Sequence, residues 1–282
     1  MTAIAESTLS EQDAETFRQR CHDFLTEHAK PVARRELEAV KVFQQAAADA
    51  GLAGLPYATE YGGAGLTMEH ERIWRQVAQQ FPPMTMNLVI SHGMCLPMLN
   101  EFGTEEQKRT FMPDNIAART LWCQMFSEPG AGSDVASLQT RAERDGDEWI
   151  INGQKVWTTL AHVSDYALLI ARTDPEQPKH AGISMFILPM DAPGVEVRPI
   201  HQSDGGRHFN EVFFTDVRIP ADHLLGEYNN GWRQATAMLM YERVAIGSAG
   251  AGDISQPMYN VLLGAAQRNG TDQDPVVRQQ LM

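Results

Sequence analysis

Apolar residues in this chain recur with helical spacing up to about residue 120, with strand spacing from there to Ile219, and with helical spacing again from about Asn230. That order of periods predicts an α+β fold. The strands come in one block, too short and too closely punctuated by turns to alternate with helices in a parallel βαβ sheet. The expected organisation is an N-terminal helical domain over residues 1–120, a middle antiparallel β domain over 121–226, and the incomplete beginning of a C-terminal helical bundle over 227–282.

The helical part carries its own punctuation. Ser10 can cap a helix whose inner side holds Phe17, Cys21, Phe24 and Leu25. A second helix is expected over roughly residues 35–50, stopping at Gly51, and a third after Thr67 with Ile73, Trp74 and Val77 inward. A fourth should cover about 84–102, and a fifth should follow the cap Thr104, with Glu105 and Glu106 in its first turn. In the middle block, Asp145-Gly146 and Asn152-Gly153 separate β-prone runs and read as consecutive hairpins.

Composition narrows the class. Apolar residues make up 43% of the 282 and charged residues 21%, as in soluble globular chains. The net charge of −13 argues against a nucleic-acid partner, which selects basic stripes. No apolar run approaches the ~20 residues of an integral membrane segment. The acidic start MTAIAESTLSEQDAETF has neither signal-peptide nor transit-peptide character. Three widely separated cysteines, Cys21, Cys95 and Cys123, suit a reducing, cytoplasmic compartment and read as buried thiols without chemistry. The last residues, Gln280, Leu281 and Met282, carry no stop signal, so the chain is expected to be cut within a longer helical region.

No GxGxxG, P-loop, HExxH or CxxC is present, and the nine histidines show no metal-ligand spacing. Two short stretches remain. FSEPGAGSD, residues 126–134, leaves the apolar run LWCQMF through a Pro-Gly turn. It is either a plain turn closed by Ser133 and Asp134 or a place where backbone N–H groups approach a ligand. WTT, residues 157–159, is either core or the wall of a site.

A third feature lies on the helix after Gly231. Ala235, Met238, Leu239, Ile246 and Ala249 follow helical spacing, and Glu242 falls on the same stripe. A carboxylate on an apolar stripe is costly unless paired, neutralised or used. It is a buried Glu paired with an Arg, or part of a stripe less buried than it looks, or a base whose pKa a dry site can raise.

Together, EPGAGSD followed by hairpins and NGQKVWTT resembles the acyl-CoA dehydrogenase flavoprotein family, in which TEPxxGSD precedes K-x-W-I-T. The resemblance extends to PYATEYGGAGL, EFGTEEQK, FNEVFFTDVRIPADHLLGE and YERVAIG, and so to nearly the whole chain. It implies an N-terminal helical domain, a middle β domain and a C-terminal four-helix bundle, with FAD extended between the last two and an acyl-CoA thioester against the flavin ring. Residue by residue, it implies that Met125, Phe126 and Ser127 line the flavin, the Ser127 hydroxyl standing where threonine is usual. Gly132 and Ser133 would approach the FAD and the CoA phosphopantetheine. Trp157 would pack by the ring, Thr158 would offer backbone contacts, and Thr159 would hydrogen-bond near N5, where donors tune the ring's electron affinity.

In the family the catalytic glutamate comes either from late in the C-terminal bundle, past residue 282 of this sequence, or, in isovaleryl-type members, from this helix immediately before an Arg. YERVAIG matches the second arrangement. The resemblance therefore implies Glu242 as the base and turns Arg243 toward cofactor or substrate. It further implies α,β-dehydrogenation to a trans-2-enoyl-CoA, an electron-transfer flavoprotein as acceptor, and a homo- or hetero-tetramer. An acyl-CoA oxidase, a flavin monooxygenase-like relative and a non-catalytic partner subunit share the fold and stay open. The chain departs from the pattern at Ser127, at Leu160-Ala161-His162 after WTT, and in ending at Met282, before most of the bundle.

Overall fold

The computed structural model describes residues 9–30, 37–250 and 255–281. The chain divides into two compact units, Met1–Glu242 and Arg243–Met282. In the first, α1 (Glu11–His28) begins at Ser10, whose hydroxyl accepts the Asp13 N–H at 3.1 Å. Phe17, Cys21, Phe24 and Leu25 are all buried, as their spacing requires. The second helix, α2 (Leu37–Asp49), ends before Gly51; the part expected upstream of residue 37 lies outside the described residues. In α3 (Met68–Ala78) Ile73 and Val77 are buried and Trp74 half-buried.

The fourth helix departs from expectation. Residues 86–88 form a 3-10 turn, Ser91–Cys95 are π-helical, and only Leu96–Phe102 (α4) are α-helical. Pro97 has no N–H to give, and in an α-helix its ring would strike the carbonyl four residues back. Upstream the helix widens, with the Leu96 N–H reaching back to the Ser91 carbonyl. The fifth, α5 (Glu105–Ile116), opens on a capping box between Thr104 and Gln107. The Gln107 amide also reaches the carbonyls of Asp222 and Leu224, tying this helix to the far end of the sheet.

The sheet comprises β1 (Trp122–Met125), β2 (Arg141–Asp145), β3 (Glu148–Thr159), β4 (Tyr166–Arg172), β5 (Ile183–Pro189), β6 (Val195–Pro199), β7 (Phe209–Pro220) and β8 (Leu224–Leu225). Its order is β6-β7-β3-β2-β4-β5-β8, with β1 also on β4. Most pairs are antiparallel, but β1 runs parallel to β4, from Trp122 opposite Tyr166 to Met125 opposite Leu169. The long connection between them makes a parallel crossing possible. In β4 the run YALLIAR is continuously apolar because both faces are covered. Leu168 and Ile170 join the core that includes the N-terminal helices, while Ala167, Leu169 and Ala171 join a second core with Trp149, Ile151, Phe186 and Val212.

Helix α6 (Gly231–Gly250) starts hard against β5. A Cβ on Gly231 would sit 2.7 Å from the Ser184 Cα, so only glycine permits this approach. Ala235 and Met238 are fully buried and Leu239 half-buried. The stripe then loses its cover: Ile246, expected inward, is 56% exposed. Periodicity marks the face that prefers burial and does not supply a surface to bury it. The Ala249 side chain lies outside the described residues. The second unit further contains α7 (Ser255–Arg268) and α8 (Pro275–Leu281).

Candidate functional site

The stretch FSEPGAGSD closes as a tight turn. Glu128 and Ala131 exchange both backbone hydrogen bonds at 3.0 Å around Pro129 and Gly130. Pro129 suits the first corner because its ring presets φ. Gly130, Gly132 and Ser133 are exposed, and a Cβ at either glycine would meet no atom of the described residues within 4 Å. Neither glycine has a positive φ. Nothing in the protein's own packing therefore requires glycine at these two positions, and the space above them is open. Gly153 is the opposite case: its φ is +149° and a Cβ there would lie 2.6 Å from the Thr140 Cα.

At the far end of the turn, Asp134 accepts bonds from Ser137 Oγ and from Lys179 Nζ at 2.8 and 2.9 Å. Those hydrogen bonds and the Lys179 charge hold its carboxyl below the usual range.

The second stretch is bent by a bulge. Lys155 pairs with Val212 and Thr158 with Asn210, so Val156 and Trp157 face the single residue Glu211. Trp157 adopts φ +60°, a left-handed conformation that costs an L-residue roughly 1–2 kcal/mol, and its indole is 59% exposed. Phe209 meets it edge-on at 5.9 Å. A bulky aromatic held in strained backbone and turned to solvent is a feature that packing alone does not call for.

The two stretches meet along one edge. The Val156 N–H donates to the Ser127 carbonyl at 2.9 Å. Ser127 and Thr159 are half-buried, and neither hydroxyl has a protein partner among the described residues. Met125 and Phe126 are buried, one in each of the two cores. Thr158 is buried, and its carbonyl is already occupied by Asn210 Nδ2 at 2.8 Å.

Beneath this edge lies a pair that the motif reading passed over. Lys155 Nζ has no exposure; it donates to Glu128 Oε1 at 2.8 Å and to the Phe126 carbonyl at 3.0 Å. Glu128 also accepts the backbone N–H groups of Gln139 and Thr140 at 2.6 and 3.0 Å. Burial pulls the Lys155 ammonium down to about 8 against the opposing charge of Glu128. Burial works to raise Glu128, but the Lys155 charge and these hydrogen bonds outweigh it and hold the carboxyl low. A signal existed: period two along β3 puts Lys155 on the face of Trp149 and Ile151.

Glu242 is half-buried near the end of the first unit, with Gln124 Nε2 3.5 Å from its Oε2. Gln124, on β1, was not among the expected site residues. Arg243 belongs to the second unit and is exposed. Among the described residues no cluster could hold a metal ion, and no helix is long and apolar enough to cross a membrane. The three cysteines are buried and unbridged.

Comparison with known proteins agrees with this architecture. Residues 11–119 match the family model "Acyl-CoA dehydrogenase, N-terminal domain", and residues 123–217 match "Acyl-CoA dehydrogenase, middle domain". Both motif stretches fall in the second match, and Glu242 lies beyond it. Acyl-CoA dehydrogenase IpdE1 of Mycobacterium tuberculosis is 42% identical over 242 residues, covering 86% of this chain and 62% of that protein. Mitochondrial isovaleryl-CoA dehydrogenase of Pongo abelii is 30% identical over 247 residues, covering 84% and 58%. The chain thus spans less than two thirds of these curated relatives. A solved structure, "Tcur3481-Tcur3483 steroid ACAD", superposes with a TM-score of 0.77 at 31% identity, covering 97% of this chain and 72% of that one. The chain, with its helical N-terminal part, its strand-rich middle and the two motifs joined by a backbone hydrogen bond, belongs to the acyl-CoA dehydrogenase family.

Proposed function

We propose that the protein is an FAD-dependent acyl-CoA dehydrogenase that removes hydrogen from Cα and Cβ of an acyl thioester and yields a trans-2-enoyl-CoA. One observation carries the reading: the Ser127 carbonyl of one motif accepts the N–H of Val156 in the other, beside Trp157, which is exposed in strained backbone. The residues fit a flavin there. Ser127 and Thr159 have hydroxyls to offer, and Gly130 and Gly132 leave main chain open where a bulky ligand could lie. When bound, FAD supplies the hydride acceptor, and an electron-transfer flavoprotein is the class of partner that would reoxidise it.

The chain's own residues supply the rest. Glu242 is the base that takes the Cα proton, oriented by the Gln124 amide. Ser133 at the glycine turn is a substrate contact. Met125, Phe126, Gly132 and Thr158 contribute main chain to the cofactor side. A homo- or hetero-tetramer is the assembly the family resemblance supports.

The test is an absorbance spectrum after FAD is added, followed by anaerobic titration with a panel of acyl-CoAs that includes branched short-chain and steroid side-chain thioesters. The expected result is a yellow protein bleached by at least one of them. Glu242→Gln should keep the yellow colour and lose the bleaching; undiminished bleaching removes Glu242 from the role. A chain that stays colourless with excess FAD overturns the flavin reading.

A further inference from the structure

Lys155 and Glu128 are the only Lys, Arg, Asp or Glu side chains buried among the described residues, and each lies inside one of the two motifs. Their contacts run along three consecutive residues of the first motif. The Phe126 carbonyl accepts from Lys155 Nζ, the Ser127 carbonyl accepts from the Val156 N–H, and the Glu128 carboxylate accepts from Lys155 Nζ. The same carboxylate oxygen, Oε1, also accepts the Thr140 N–H, the other, Oε2, accepts the Gln139 N–H, and the Glu128 backbone is bonded to Ala131. Val156 is itself one of the two bulged residues, and the other is Trp157 in its left-handed conformation.

Stability alone is a poor reason for such a pair, because apolar residues of similar volume commonly replace a buried ion pair without loss. What apolar residues cannot do is specify which carbonyl faces which donor. We propose that the Lys155–Glu128 pair is a positioning device that clamps the end of the first motif to the bulged strand and so presets the edge formed by Ser127 and Trp157 for its cofactor. The proposal rests on the flavin reading above for what the edge receives. The clamp itself is a property of this chain alone.

The experiment compares the unaltered 282-residue chain with the double variant Glu128→Gln/Lys155→Met, which removes both charges together. Amide hydrogen exchange by NMR is read without flavin, and FAD affinity by titration. The double variant should melt at or above the temperature of the unaltered chain. Its Val156 amide should exchange roughly tenfold faster, and FAD should bind roughly tenfold more weakly, the size expected from losing a charge-assisted hydrogen bond. Amides of the β4–β5 ladder should keep their protection, which a merely stabilising role does not predict. Unchanged exchange at Val156, or an equal change through the whole sheet, overturns the clamp. So does undiminished FAD affinity in a folded double variant. If the unaltered chain takes up no FAD, the flavin reading fails, and the exchange arm still decides the clamp. Should the double variant not fold, Glu128→Gln/Lys155→Gln takes its place, since the shorter amide cannot span both former acceptors, and the same two arms decide.

Discussion

The edge formed by Ser127 and Trp157 and the carboxylate of Glu242 are held in opposite ways. Behind the edge, each carbonyl from Phe126 to Glu128 has a donor, an ion pair is buried, and strain is stored at Trp157. Glu242 sits half-buried on a helix, touched by one amide at 3.5 Å. The difference suits two tasks. On the function proposed above, the first would hold a large planar ligand by rigid preorganisation, whereas the second would take a proton and keep its freedom until substrate closes around it.

The comparison breaks most readily at Lys155. Lys155→Met alone leaves Glu128 buried without its counter-charge and should lower the unfolding free energy by about 3–5 kcal/mol in urea denaturation. A loss under about 1 kcal/mol would mean the edge is no more tightly held than the helix.

Acid sharpens the same point. The Glu128 carboxyl is held below its ordinary value in the folded chain, so its contribution is present above the usual carboxylate range and is lost as pH falls through the lowered folded value. Stability measured from neutral pH downward should therefore fall less steeply in Glu128→Gln/Lys155→Met than in the unaltered chain. Parallel curves would assign the acid sensitivity elsewhere.

At Trp157 the expected effect is smaller and reversed in sign. Trp157→Gly relieves the left-handed backbone, so stability should hold or rise by up to about 1 kcal/mol while FAD affinity falls. A clear loss of stability would show the indole to be structural. Smallest of all, Glu242→Gln should change the unfolding free energy by less than about 0.5 kcal/mol, as expected where one long contact is altered on a half-exposed side chain. Thermal melts of the two proteins should superimpose.

Much of the fold was legible because its signals are local. The Ser10 cap, the Thr104–Gln107 box and the inward Phe17, Cys21 and Leu25 depend only on neighbours within a turn or two. The π-helical segment was not anticipated: Pro97 forbids one hydrogen bond but does not say how the helix upstream accommodates it. The β1–β4 pairing and the exposure of Ile246 were not legible, because each depends on residues far away in the chain.

By itself, then, the amino-acid order determined where the chain is broadly helical or extended and which two stretches carry the family's motifs, since both follow from short-range periodicity. The turn it signalled at Asn152-Gly153, however, is the middle of β3. Only the tertiary structure decided that Lys155 of one motif ends beside Glu128 of the other, and that Trp157 faces outward. Those outcomes depend on register across the sheet, where one extra residue in a strand turns a side chain from one face to the other.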